Sequence, residues 1–142
     1  MSHHPTPSAE AWPWPDSLDA LVAAPAYHQR LLENDRVRVI HTLIPAGATV
    51  PVHTHRWPGV AYVVSSSEFV RRDQDGNVLL DSRNKSSSSA APATQWLEPL
   101  PPHTVENVGS AQISIIVVEL KEPAHQQIDS TANGSRLSPS LR

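Results

Sequence analysis

Two stretches decide how this chain is read: Gly47-Ala48-Thr49-Val50-Pro51-Val52-His53-Thr54-His55 and, about fifty residues later, His103-Thr104-Val105-Glu106-Asn107. Val50 to His55 has strand character, and strand side chains alternate between faces, so His53 and His55 point the same way, roughly 7 Å apart along the strand. His103 opens a second strand. On the concave inner wall of a closed sheet, two imidazoles from one strand and a third from a neighbour make a three-nitrogen site. Such a site suits one divalent transition ion (Fe, Ni, Zn, Mn, Co or Cu) better than Mg or Ca.

Strand signals continue outward in both directions. They cover His28 to Glu33, Arg36 to Ile44, Val50 to His55, Val60 to Val64, Glu68 to Arg72, Val78 to Asp81, Gln95 to Leu97, His103 to Asn107 and Gln112 to Lys121. Turn residues separate them at Asn34-Asp35, Pro45-Ala46-Gly47, Asp75-Gly76-Asn77 and Gly109-Ser110. Short strands at this spacing predict an all-β sandwich or barrel. Before them, Trp12-Pro13-Trp14-Pro15 is too proline-rich for a helix and reads as an extended arm whose tryptophans dock on the body or on a second subunit. Asp16 or Ser17 is expected to cap one short helix through Leu18, Leu21 and Val22, ended by Pro25. Asn84 to Pro92 is a serine-rich exposed loop, and the segment after Pro123 has no periodic apolar signal. The expected organisation is an arm and short helix at 1–27, one domain at 28–122, and a disordered tail at 123–142.

At 142 residues the chain has room for a single domain. It contains no cysteine, which removes disulfides, thiolate ligands and cysteine nucleophiles and leaves nitrogen and oxygen donors. Eleven Lys and Arg against fourteen Asp and Glu give a charge of -3, with Arg71-Arg72 the only adjacent basic pair. That is no footprint for nucleic acid. The longest apolar run, Ile113 to Leu120, is far short of a membrane span, and the first residues carry no secretory signal, so a cytoplasmic protein is expected.

The two opening stretches resemble the metal-binding motifs of the cupin superfamily. The first has the Gly, five residues, His-X-His arrangement, and the second has His-X-X-X-Asn. The tract from His53 to Ser65, with Pro101 to Gly109, also resembles small single-domain bacterial cupins, some labelled as β-alanine degradation proteins. The resemblance implies a double-stranded β-helix or jelly roll, a metal inside the barrel held by His53, His55 and His103, and a homodimer. It also implies a small oxygen-bearing metabolite as ligand, with a dioxygenase outcome if the ion is redox-active iron or nickel. Non-catalytic metabolite binding and a metal-free dimerisation module are the alternatives.

Departures from the motifs matter as well. Where cupins carry a glutamate ligand after the second histidine, this chain has Gly59 and Val60, an opening through which substrate would reach the metal. Glu68 is a candidate displaced ligand, although an outward surface role suits it better. Trp57, Tyr62, Trp96 and His41 are candidate cavity or substrate residues, with ordinary packing as the alternative for each. Arg56 is a weaker candidate for a substrate carboxylate, and Asn107 is expected to satisfy a turn. His3, His4, His28 and His125 receive no role.

Overall fold

The computed structural model describes residues 12–84 and 93–121. The expected serine-rich loop beyond Asn84, the tail from 123 and the first eleven residues of the arm lie outside the described residues. Trp12 and Trp14 pack edge to face on one another, ring centroids 4.7 Å apart.

Among the described residues, nine strands follow a short 3-10 turn at Asp16–Leu18 and the one-turn helix α1 (Ala20–Ala23). They are β1 (His28–Glu33), β2 (Val37–Ile44), β3 (Thr49–His55), β4 (Gly59–Ser65), β5 (Phe69–Asp73), β6 (Val78–Asp81), β7 (Thr94–Leu97), β8 (Leu100–Asn107) and β9 (Ile113–Leu120). The helix cap is Asp19, whose carboxylate accepts from the Leu21 amide at 3.0 Å, and not Asp16 or Ser17. Those two residues are used up in the 3-10 turn, so the α-helix starts one cap later. β8 likewise starts at Leu100, three residues before His103, because its prolines sit in extended backbone.

The strands form two antiparallel sheets, ordered β1-β2-β9-β4-β7 and β3-β8-β5-β6. Consecutive strands mostly cross from one sheet to the other, as a jelly roll requires. Turns follow their chemistry: Gly47 adopts φ 83° after Pro45-Ala46, and the Asp73 carboxylate accepts the Asp75 and Asn77 amides around Gly76. Asn107 closes the β8–β9 turn, its amide donating to the Ile44 and Ala111 carbonyls and accepting from Gly109. Ala24, Ile44, Val50 and Ile113 pack as the apolar core, flanked by Tyr27, Phe69 and Val105. The rest of the space between the sheets is a cavity of about 220 Å³ lined from both.

Candidate metal centre

Four histidines converge on that cavity: His28 from the start of β1, His53 and His55 from β3, and His103 from β8. His53 and His103 are direct cross-strand partners, with ring centroids 4.2 Å apart. His28, His53 and His55 form the tightest group, each offering a nitrogen within 4.8 Å of the others. His103 flanks them, its ring 5.7 Å from that of His55. His28 thus joins the three histidines expected from the sequence at one cavity, its ring 4.9 Å from that of His53 and 5.5 Å from that of His55.

Each ring is held by its Nδ1. His53 donates to the Pro51 carbonyl and His103 to the Pro101 carbonyl, both at 2.7 Å, so the two sequences Pro-X-His use the same local contact. His28 donates to the Ala24 carbonyl at 2.9 Å, and His55 to the Glu119 carboxylate at 3.2 Å. These oxygens can only accept, so the proton sits on Nδ1 and the Nε2 lone pair of every ring is left for another partner. Burial, followed by the neighbouring imidazoles, pushes His28 down to about 4, His53 to about 2 and His103 to about 3. These three rings are neutral at physiological pH, the state that coordinates metal. Four imidazoles with their Nδ1 atoms tethered fit a divalent transition ion.

A buried carboxylate stands behind this set. Glu119, 1% exposed, receives His55 on one oxygen and Arg38 Nε on the other at 2.7 Å. Arg38 in turn forks onto Asp19 at 2.8 and 3.0 Å. Burial works against the Arg38 charge, and the bonds to Asp19 and Glu119 more than offset it, raising its pKa. Trp57 covers this array, with the Arg38, Arg56 and Lys121 cations 5.0, 5.6 and 5.5 Å from its ring centre. Glu119 is the cross-strand partner of Gly59, the position where the motif glutamate is missing. Gly59 lines the cavity, and an added Cβ there would collide with the Val118 carbonyl oxygen. Its lack of a side chain lets β4 and β9 approach.

Of the other sequence candidates, Trp57 lines the cavity and three do not. Tyr62 and Trp96 are half exposed on the outer face, because Ala61 and Val63 on β4 and Gln95 and Leu97 on β7 take the inward positions. His41 points away from Thr42 and Ile44, which line the cavity, and bonds Ser114 Oγ at 2.8 Å. Glu68 faces outward and accepts from the Ser82 hydroxyl. Arg56 lies on Trp57 and is not a lining residue. Sequence reasoning missed His28, Glu119 and Arg71, all of which line the cavity.

No protein-family model matches the sequence, and no curated protein matches it. Solved structures do. A cupin domain from Bordetella pertussis Tohama I is 17% identical and covers 67% of this chain and 92% of its own, with a TM-score of 0.53. An RmlC-like cupin family protein with a double-stranded β-helix fold from Methanocaldococcus jannaschii is 14% identical over 72% of this chain and 84% of that one (TM-score 0.45). A predicted oxalate decarboxylase from Thermotoga maritima is 20% identical over 66% and 79% (TM-score 0.41). The Bordetella domain, with the two-sheet strand order above, establishes that this chain has the cupin double-stranded β-helix fold.

Proposed function

We propose that this chain is a metal-dependent cupin whose His28, His53, His55 and His103 hold one divalent transition ion and whose cavity takes a small oxygen-bearing metabolite. One observation carries the reading: four buried or half-buried rings have their Nδ1 atoms tied to oxygen acceptors while their other nitrogens face one cavity. When bound, the ion supplies Lewis-acid polarisation of a substrate oxygen, and iron or nickel would add redox chemistry such as that of a dioxygenase. The chain's own contribution is orientation and dryness. Glu119 keeps the His55 proton on Nδ1, Pro51 and Pro101 do so for His53 and His103, and Trp57, Leu97 and Val117 wall off water. A volume of about 220 Å³ is below the roughly 300–1,000 Å³ of sites for drug-sized ligands, which favours a small metabolite.

Elemental analysis of protein purified without chelator tests the site. About one equivalent of a transition metal is expected, lost in a His53→Ala, His103→Ala double variant, reduced in His28→Ala and kept in His41→Ala. Equal metal in the wild type and the double variant would sink the reading. Oxygen-electrode measurements on the Fe(II) form then separate a dioxygenase from non-catalytic binding. Homodimerisation belongs to the same proposal, supported by Val60, Tyr62, Val64 and Trp96, all 41–56% exposed on the outer face of β4 and β7. Light scattering on a Trp96→Lys variant reads it out.

A further inference from the structure

Arg71 is a half-buried charged residue of this cavity that the metal site leaves unexplained. It lies on β5 with its Cα opposite Val105 of β8, and His103 is two residues from Val105 on the same strand face. Arg71, Val105 and His103 all line the cavity. Its Nε is fully buried without a hydrogen-bond partner, and among the described residues its guanidinium makes no ion pair. It rests 5.8 Å from the centre of the Phe69 ring. Arg38, the other arginine drawn inward, has two carboxylates. The carboxylates around the cavity have other partners: Glu119 accepts from Arg38 and His55, Asp19 from Arg38 and the α1 cap, and Glu98, which also lines the cavity, from Trp96. Desolvation lowers the Arg71 pKa with no counter-charge to offset it.

A buried guanidinium nitrogen without a hydrogen-bond partner costs free energy and persists where something outside the chain completes it. We propose that Arg71 is the anion anchor of this cavity, binding the carboxylate of a small carboxylate-bearing ligand. The planar fork of donors matches a carboxylate in two parallel bonds, and a wall of Val105, Phe69 and Ile115 keeps the pair dry. A ligand held this way by its carboxylate, beside His103, turns its remaining polar group toward the histidines. The inference rests on reading this cavity as the ligand site, and it narrows the metabolite to an acid.

The test uses the full chain in metal-free and Co(II)-loaded forms, titrated with pyruvate, acetate, pyruvamide and inorganic phosphate. NMR shifts report on the metal-free protein, and the visible Co(II) bands on the loaded one. Pyruvate should bind the metal-free wild type about ten- to a hundredfold more tightly than pyruvamide, the range of a charge-assisted hydrogen-bond pair. Arg71→Met should abolish that preference, Arg71→Lys should keep part of it, and Arg71→Met should raise the Tm of the ligand-free protein. A purely structural guanidinium would lower the Tm on removal, and that result overturns the proposal. An unchanged preference in Arg71→Met, no acid bound by the wild type, or phosphate bound as tightly as pyruvate would each overturn it too. If Co(II) fails to bind while the carboxylate preference stands, the metal reading falls and this one survives. Co(II) binding with a preference indifferent to Arg71 gives the reverse.

Discussion

Acidifying the metal-free protein should destabilise it steeply between pH 6.5 and 5. In the folded state His28, His53 and His103 stay neutral down to about 4, 2 and 3, whereas in the unfolded chain they return to the ordinary 6.5. Below 6.5 the unfolded chain therefore binds protons that the folded one refuses, so stability falls as pH falls and keeps falling until each folded value is reached. At pH 5, 1.5 pH units below 6.5, the loss is about 2 kcal/mol per histidine and about 6 kcal/mol for the three. At that pH the sum hardly depends on the folded values, because all three lie about a unit or more below it. Against a total stability of about 5–15 kcal/mol, that loss removes roughly 40% of the margin at the upper end of the range and all of it at the lower end. Carboxylates do not confuse the window: Asp81, held near 2 chiefly by its Arg83 hydrogen bond, and Glu33, lowered chiefly by Lys121, lose their contributions only at lower pH. Guanidinium unfolding of EDTA-treated protein, followed by circular dichroism near pH 7.5, 6 and 5, measures the effect. His28→Phe should shrink the loss by about a third. A free energy flat to within about 1 kcal/mol across that range would refute the reasoning, because it would mean the three rings are solvated enough to protonate in place.

Three further outcomes are expected. Glu119→Gln leaves one acceptor for two donors, Arg38 and His55, so it should destabilise by about 3–5 kcal/mol in chemical denaturation and weaken metal binding about 10- to 100-fold in competition with a chromophoric chelator. Gly59→Ala should cost about 1–3 kcal/mol, read as a drop in Tm, because the new methyl would meet the Val118 carbonyl, and Gly59→Glu should fail to fold and not supply a ligand. Zn(II) at about a thousand times its dissociation constant should stabilise the chain by about 4 kcal/mol at pH 7, an increment that chelator removes and His53→Ala prevents.

What was legible in the sequence is what depends on local periodicity. His53 and His55 share a face through two-residue alternation, and the strand, turn and His-X-X-X-Asn signals around them follow from residue chemistry at fixed offsets. His28 was not legible because it opens an otherwise exposed strand, and it reaches the cavity only through the pairing of β1 with Thr42 of β2. Arg71 inverts the usual reading of alternation: Val70 is buried at 1% exposure on one face of β5, yet the charged Arg71 faces the cavity on the other. Tyr62 and Trp96 failed in the opposite sense, since aromatic size suggested a pocket wall and alternation put them outside. Asp19 escaped notice as a cap because two acceptable caps precede it.

Glu119 carries the deepest lesson, because the sequence suggested a carboxylate lost at Gly59 and the fold has one directly across the ladder from that glycine. The two facts belong together. A residue with a Cβ at 59 would push β4 off β9, and with it the register that aims Glu119 at His55. The carboxylate has a different task from one on the motif strand: each of its oxygens accepts one hydrogen bond, from Arg38 and from His55, so it orients a ring from the cavity wall. His28 lines the same cavity, held by the carbonyl of Ala24 at the end of α1, while Asp19 at the start of the same helix anchors Arg38. One helical turn thus fixes two of the four imidazoles, one directly and one through an ion-pair chain. In the proposed site all four donors are imidazoles, so an ion held there would keep its full charge, and Arg71 lines the same cavity along with Glu98 and Glu119. On the proposal that Arg71 anchors a carboxylate, the protonation state of the ligand, more than its size, should decide what binds.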